Sequence, residues 1–178
     1  MYKDKAQIMD AADMDRAITR IAHEIIENCA REESIVIIGI RRRGIPLAEK
    51  IAENITSFSD LKVEVGDMDI TLYRDDLTEI FDKATVTSDT IDIDVNKKVV
   101  IMVDDVLYTG RTCRAGMDYI MKQGRPSAIR LAVLIDRGHR ELPIRADFIG
   151  KNVPTSHKEM IAVRVPEYDG KKEVVVME

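Results

Sequence analysis

Residues 99–112 read Val-Val-Ile-Met-Val-Asp-Asp-Val-Leu-Tyr-Thr-Gly-Arg-Thr. Val99 to Val103 is apolar without interruption, which predicts a strand buried on both faces, as in a parallel sheet covered by helices. Asp104 and Asp105 stand at its carboxyl end. After a turn from Val106 to Gly110 the spacing becomes helical, and a helix is predicted from about Arg111 to Lys122. It should bury Cys113, Met117, Ile120 and Met121, and end at Gly124 with Pro126 beyond.

The same alternation extends outward. Upstream, Ser34 to Ile40 is a second buried strand, closed by the tight turn Arg41-Arg42-Arg43-Gly44. Pro46 sits where a first helical position would be, and Leu47, Ile51 and Ile55 recur every four residues, predicting a helix to about Ile55. Before that strand, apolar residues from Met14 to Cys29 form one stripe of a 3.6-residue period, with Asp10 or Asp13 as cap and Asp15 suited to the helix dipole. Leu61 to Val65 alternates like a strand, with an extension toward Ile70. Downstream, Ile129 to Ile135 is a third buried strand, closed by Asp136-Arg137-Gly138, and Phe148 to Gly150, Met160 to Val165 and Glu173 to Val176 are shorter strands. Strands alternating with helices predict an α/β fold around a mainly parallel sheet. Ligands on such sheets bind beyond the carboxyl ends of the strands. The turns at 41–44, 104–112 and 136–138 share that position.

The chain has 178 residues, 27 Lys+Arg against 32 Asp+Glu and a formal net charge of −5. That length suits a single domain, 1–178, with a core of its own. With 45% hydrophobic and 33% charged residues, low-complexity disorder and disulfide-stapled mini-folds are excluded. The apolar runs are far shorter than a membrane helix needs, and the start lacks a secretory or lipidation pattern, so a cytoplasmic protein without a membrane partner is expected. The two cysteines, Cys29 and Cys113, lie in helical apolar patterns without a second thiol at metal spacing and read as reduced, packed thiols. From about residue 72 to 96 the chain is polar and weakly periodic. A stretch that long is usually functional, and a mobile flap is expected there.

The acid pair and the turn after it carry the chemistry. A Gly-containing turn at a helix start exposes backbone N–H groups to an anion, and Thr109 and Thr112 add hydroxyls. Carboxylates cannot bind that anion, so Asp104 and Asp105 must face sugar hydroxyls or a hydrated metal. Together they describe a ribose-phosphate site. It is not a nucleotide P-loop, because the spaced glycines and the Gly-Lys-Thr ending are absent.

The strand, two acids and Thr-Gly turn resemble the signature of the type I phosphoribosyltransferases. Asp104 to Thr112, Gly124-Arg-Pro-Ser127, Leu134 to Asp147 and Gly150 to Ser156 further resemble PyrR, a family of pyrimidine operon attenuation regulators that are also uracil phosphoribosyltransferases. The similarity covers nearly the whole chain, including Thr19 to Ile26. It implies a type I phosphoribosyltransferase-like fold with a flexible hood over residues 72–96, Arg74 near its base. The substrate would be 5-phosphoribosyl 1-diphosphate (PRPP), contacted by Val103, Asp104, Asp105, Val106, Leu107, Tyr108, Thr109, Gly110, Arg111 and Thr112. Asp104 and Asp105 would hold the ribose hydroxyls, and Tyr108 to Thr112 the 5′-phosphate. Arg42, Arg43 and Gly44 would form the pyrophosphate loop, where Arg42 departs from the family's common Thr. Asp104, Asp105 and Arg43 are the implied catalytic residues. Arg137 and the strand around Ile161, Ala162 and Val163 would form the uracil site, where backbone groups would read the pyrimidine edge. Mg²⁺ would arrive with PRPP, through its oxygens and waters rather than direct protein ligands.

A second role is also implied. Residues 130–164 hold seven Lys/Arg against four Asp/Glu and two of the three histidines, a modest basic face in an acidic chain. Taken alone, that face suits a subunit contact or a structured RNA. The resemblance favours a stem-loop in pyr leader mRNA, recognised by Thr19, Arg20, His23, His139, Arg140, Arg145 and Lys151 and modulated by UMP or UTP. A homodimer or larger homo-oligomer is expected, and no DNA partner. Two alternatives stay open: a regulator whose catalytic site survives as a nucleotide sensor, and a phosphoribosyltransferase for another base with no RNA role.

Overall fold

A computed structural model of the chain describes residues 3–70 and 92–178. Arg74 and most of the expected hood lie outside the described residues. Strand β1 (Asp4–Met9) leads into helix α1 (Ala11–Asn28), followed by β2 (Ser34–Ile40), α2 (Gly44–Phe58), β3 (Lys62–Met68), β4 (Val99–Leu107), α3 (Arg111–Gln123), β5 (Ala128–Asp136), β6 (Phe148–Asn152), β7 (Met160–Arg164), the one-turn helix α4 (Pro166–Asp169) and β8 (Glu173–Met177). Five strands form a parallel sheet in the order β3-β2-β4-β5-β6. The others form an antiparallel sheet in the order β1-β8-β7.

The Ile/Val runs explain the layering. Side chains alternate along a strand, so Ile35, Ile37, Ile101, Val103, Ala132 and Leu134 face one way, against Met14, Ile18, Ile21 and Ile25 of α1 and Leu47, Ile51 and Ile55 of α2. Val36, Ile38, Val100, Met102, Leu131 and Val133 face the other way, against Cys113, Tyr119 and Ile120 of α3. Both faces being covered, the strands need no polar alternation. The order reverses between β2 and β4, so the carboxyl ends of these two strands flank the crevice where such sheets bind ligands.

Several boundaries differ from the sequence reading. β4 runs to Leu107 rather than stopping at Val103, because β5 continues beside it and pairs Val106 with Ile135 and Leu107 with Asp136. The two acids therefore sit within the strand's last residues, on a fixed backbone. Met121 is 55% exposed, because it lies on the side of α3 away from the buried Cys113, Ala115, Tyr119 and Ile120. Pro46 is the third residue of α2, which begins at Gly44. The chain meets the end of β4 very closely there: a Cβ on Gly44 would lie 2.5 Å from the Val103 carbonyl oxygen. β1 carries no apolar alternation and is mostly exposed; its pairing with β8 makes it a strand. At α1, Asp10 and Asp13 both cap, each side chain accepting the other's backbone N–H, at 2.7 Å and 3.2 Å.

Candidate active site

A cleft of about 720 Å³ opens beyond the carboxyl ends of β2, β4 and β5. It is lined by Arg41 to Arg43, by every residue from Asp104 to Cys113, and by Arg137, Glu141 and Ile161, with Ile40, Ile70, Leu131 and Val133 below. Three turns separated by up to about a hundred residues thus share one space.

Asp104 and Asp105 occupy its floor. The Asp105 N–H donates to Asp104 Oδ1 at 2.9 Å, and the Val106 N–H to Asp105 Oδ1 at 2.9 Å. Burial pushes the Asp105 carboxyl above its usual range, opposed by the hydrogen bonds from Asp104 and the Val106 amide and by the charge of Arg43. Two adjacent half-buried carboxyl groups, one of them desolvated, favour a ligand that brings hydroxyl donors or positive charge.

The phosphate-like corner follows along the chain. Gly110 adopts φ 95°, a left-handed conformation that favours glycine, and starts α3 without a side-chain cap. The Tyr108 and Thr109 carbonyls are drawn backwards into the protein. Arg140 Nη1 donates to Tyr108 O at 2.6 Å, and the Glu141 and Leu142 N–H groups donate to Thr109 O at 2.9 Å and 3.2 Å. Those acceptors are tied behind the loop, and although the Arg111 N–H donates locally to Thr109 Oγ1 at 3.2 Å, the helix start keeps the anion-binding character of an N-terminus.

On the opposite wall, Arg43 is gripped from the side by Asp169, with Nη2 to Oδ1 at 2.7 Å and Nε to Oδ2 at 3.2 Å. Arg41 lines the cleft and pairs with Asp67 at 2.6 Å; Arg42 is exposed. Arg137 is a cation only 7% exposed. It donates to Thr155 Oγ1 at 3.0 Å and to Glu159 O at 2.6 Å, and its guanidinium lies 4.0 Å from the Tyr108 ring centroid.

Some expected site residues turn their side chains away from the cleft. Of Ile161, Ala162 and Val163, only Ile161 lines the cleft. Val163 lies in the core at 2% exposure, and Ala162 falls on the other face of β7 by alternation. Val103 also turns its side chain into the core. Gly44 abuts β4 without lining the cleft. Glu141, which holds Arg111 at 2.7 Å, and Asp169 were not singled out from sequence. Asp169 lies 126 residues from its partner and follows no motif.

The residues assigned to RNA fall into separate groups. Arg20 reaches from α1 to the Ile149 and Gly150 carbonyls of β6 at 3.2 Å and 2.5 Å, Lys151 of β6 reaches the Ile8 carbonyl of β1 at 3.3 Å, and Thr19 lies on the α2 side of α1, its Oγ1 accepting from Asn54 at 3.4 Å. His23 is exposed and stacks on Phe58, with ring centroids 4.5 Å apart. Arg145 is exposed on the segment after β5. His139 instead packs by the cleft, its Nε2 2.5 Å from Thr155 O. Arg140 is directed inward. Besides Tyr108 O it binds Ile144 O at 2.9 Å and Asp136 Oδ2 at 2.5 Å, so its fork braces the phosphate-binding turn instead of facing outward.

Cys113 borders the same cleft, and burial, then the charge of Asp104, pushes its thiol up to about 12. At pH 8 roughly one thiol in ten thousand is then ionised. Cys113 is expected to resist iodoacetamide at pH 8 until the protein is unfolded, as peptide mass mapping would show. Because the folded thiol keeps its proton beyond the ordinary value of 9.0, this group's contribution to stability is full below pH 9 and is lost as pH rises toward 12.

Residues 4–176 match the family model described as the phosphoribosyl transferase domain. Two curated relatives, each named Bifunctional protein PyrR, are similar along their whole length. The Clostridium novyi protein is 56% identical over 98% of both chains. That of Pelotomaculum thermopropionicum is 55% identical over 100% of this chain and 98% of its own. The chain belongs to the PyrR family of phosphoribosyltransferases. Among solved structures, a Bacillus anthracis hypoxanthine-guanine phosphoribosyltransferase superposes with TM-score 0.73 at 18% identity, covering 100% of this chain and 99% of that one. The Trypanosoma cruzi hypoxanthine phosphoribosyltransferase gives TM-score 0.73 at 14% identity, covering 97% and 96%. At such identities the likeness establishes the type I phosphoribosyltransferase fold and nothing finer. Among the described residues, no group of three or more His, Cys, Asp or Glu could hold a metal ion, and no helix is long and apolar enough to cross a membrane.

Proposed function

We infer that this PyrR-family protein is a uridine-nucleotide-responsive RNA-binding regulator of pyr operon transcription attenuation that also converts uracil and PRPP to UMP and diphosphate. One observation carries the enzymatic half: the carboxylate pair, the glycine turn into α3 and the Arg41–Arg43 turn line a single cleft at the sheet's switch point. Asp104 and Asp105 hold the ribose hydroxyls. The turn from Tyr108 to Thr112 holds the 5′-phosphate. Across the cleft, Arg43 faces the diphosphate.

As the glycosidic bond breaks, positive charge grows on the ribose C1 and negative charge on the departing oxygens. The Asp104–Asp105 pair suits the first and Arg43 the second. Mg²⁺ arriving with PRPP would face Asp104 and Asp105 through its waters, and when bound it would supply neutralisation of the diphosphate charge. Ile161 and the Arg137–Tyr108 pair form the wall we assign to the base. Water exclusion falls to residues 72–96. We expect it to act in the cytoplasm, as a homodimer or larger homo-oligomer.

The regulatory half is supported by polar side chains along α1: Arg20 on the β6 side, and Thr19 and the exposed His23 on the α2 side. UMP binding and binding of the leader stem-loop are coupled, and the coupling must be reciprocal. The test is UMP formation from uracil and PRPP with competing hypoxanthine and guanine, alongside leader-RNA binding titrated with UMP at fixed salt. Uracil alone should be converted, and UMP should tighten the RNA complex. Conversion of a purine would overturn the substrate assignment. RNA affinity indifferent to UMP would overturn the regulatory one.

A further inference from the structure

We propose that Asp169 is a positioning residue for the diphosphate-binding arginine of the cleft, supplied by the β7–α4–β8 connection of the small antiparallel sheet to the active site built on the large one. The proposal rests on the reading of Arg43 as the diphosphate ligand. Arg43 leaves the end of β2 on an exposed turn, and a free arginine there would sample many rotamers before meeting its ligand. Asp169 removes that freedom. Its two oxygens take Nη2 at 2.7 Å and Nε at 3.2 Å, the side-on fork that fixes the plane of the guanidinium as well as its place. Among the described residues no hydrogen bond engages Nη1, so that end of the group stays available to the cleft that Arg43 lines.

Asp169 is itself anchored. Its Oδ2 accepts the backbone N–H of Val165 at 2.9 Å, and Val165 is 3% exposed, at the junction of β7 and α4. A line of fixed contacts therefore runs from the buried end of β7 through α4 and Asp169 to Arg43. The Asp105 charge also acts on Arg43, favouring its charged form as Asp169 does. Preorganisation of this kind lowers the ordering cost of binding a doubly charged leaving group. UMP carries no diphosphate and gains nothing from it.

The test compares Asp169→Asn, Arg43→Gln and the double variant in diphosphate product inhibition with Mg²⁺, in PRPP kinetics and in UMP binding. Asn keeps an oxygen for the Val165 N–H while removing the charged fork. In Asp169→Asn, the diphosphate inhibition constant and the KM for PRPP should each rise about tenfold, kcat should change less, and the Kd for UMP should stay at the parent value. The double variant should bind diphosphate no more weakly than Arg43→Gln alone. Unchanged diphosphate affinity in Asp169→Asn, or tighter binding, would overturn the proposal, the latter by showing that Asp169 competes with the ligand. An equal loss of UMP affinity would overturn it by making Asp169 a general prop of the fold. If Arg43→Gln alone leaves diphosphate binding intact, the assignment of Arg43 has failed before Asp169 is touched, and the proposal falls with it.

Discussion

Asp105→Asn is expected to slow UMP synthesis by about 10²- to 10³-fold while leaving the melting temperature unchanged or higher. The two effects share one cause. Burial raises the proton affinity of the Asp105 carboxyl, so the folded state holds that proton more tightly than the unfolded chain does. Its ionised form therefore costs stability increasingly as pH rises above the ordinary carboxylate value of 3.8. An asparagine removes that cost. Its oxygen still accepts the Val106 N–H, and its amide can donate to Asp104. What it cannot do is present negative charge to the ribose as the glycosidic bond opens. Thermal melts at pH 5 and pH 8, with initial rates on the same samples, check both halves. A variant that loses stability in step with activity would make Asp105 a structural acid instead.

Arg140→Leu is expected to lower the melting temperature by roughly 5–12 °C and to weaken UMP binding by at least tenfold. The guanidinium ties Tyr108 O, Ile144 O and Asp136 in a half-buried position. Removing it leaves a carboxylate and two carbonyls without that partner, a cost of about 2–4 kcal/mol. The Tyr108 carbonyl, released, frees the turn that holds the phosphate. Arg145→Ala and His23→Ala, on exposed side chains, should shift stability by no more than about 0.5 kcal/mol and leave UMP binding intact while reducing affinity for leader RNA. Calorimetric melts and UMP titrations separate the two kinds of residue. Should Arg140→Leu lose RNA affinity with its melting temperature and UMP affinity untouched, Arg140 would return to the RNA surface.

The parallel sheet was legible because its strands are unbroken Ile/Val runs, a pattern that two-sided burial requires. Ser34–Ile40 matches its strand residue for residue. The acid pair and Gly110 were legible because strand, charge and turn follow one another in the chain. β1 was not, since Asp4-Lys-Ala-Gln carries no apolar alternation and owes its conformation to a partner strand at the far end of the sequence. Nor could sequence separate Arg140 from Arg145. Both are arginines of one basic segment, and only the fold turns one of them back toward Tyr108. Asp169 shows the same limit: a side chain recruited by an arginine distant in sequence leaves no local spacing to read.

Diffraction from crystals soaked in PRPP and magnesium puts the central claim to its most direct trial. The account predicts density for the sugar across the ends of β2 and β4, with both ribose hydroxyls on Asp104 and Asp105, the 5′-phosphate on the amides from Tyr108 to Thr112, and the diphosphate beside Arg43. Density for the diphosphorylated sugar outside this cleft, or with its 5′-phosphate turned toward Arg43, would contradict it.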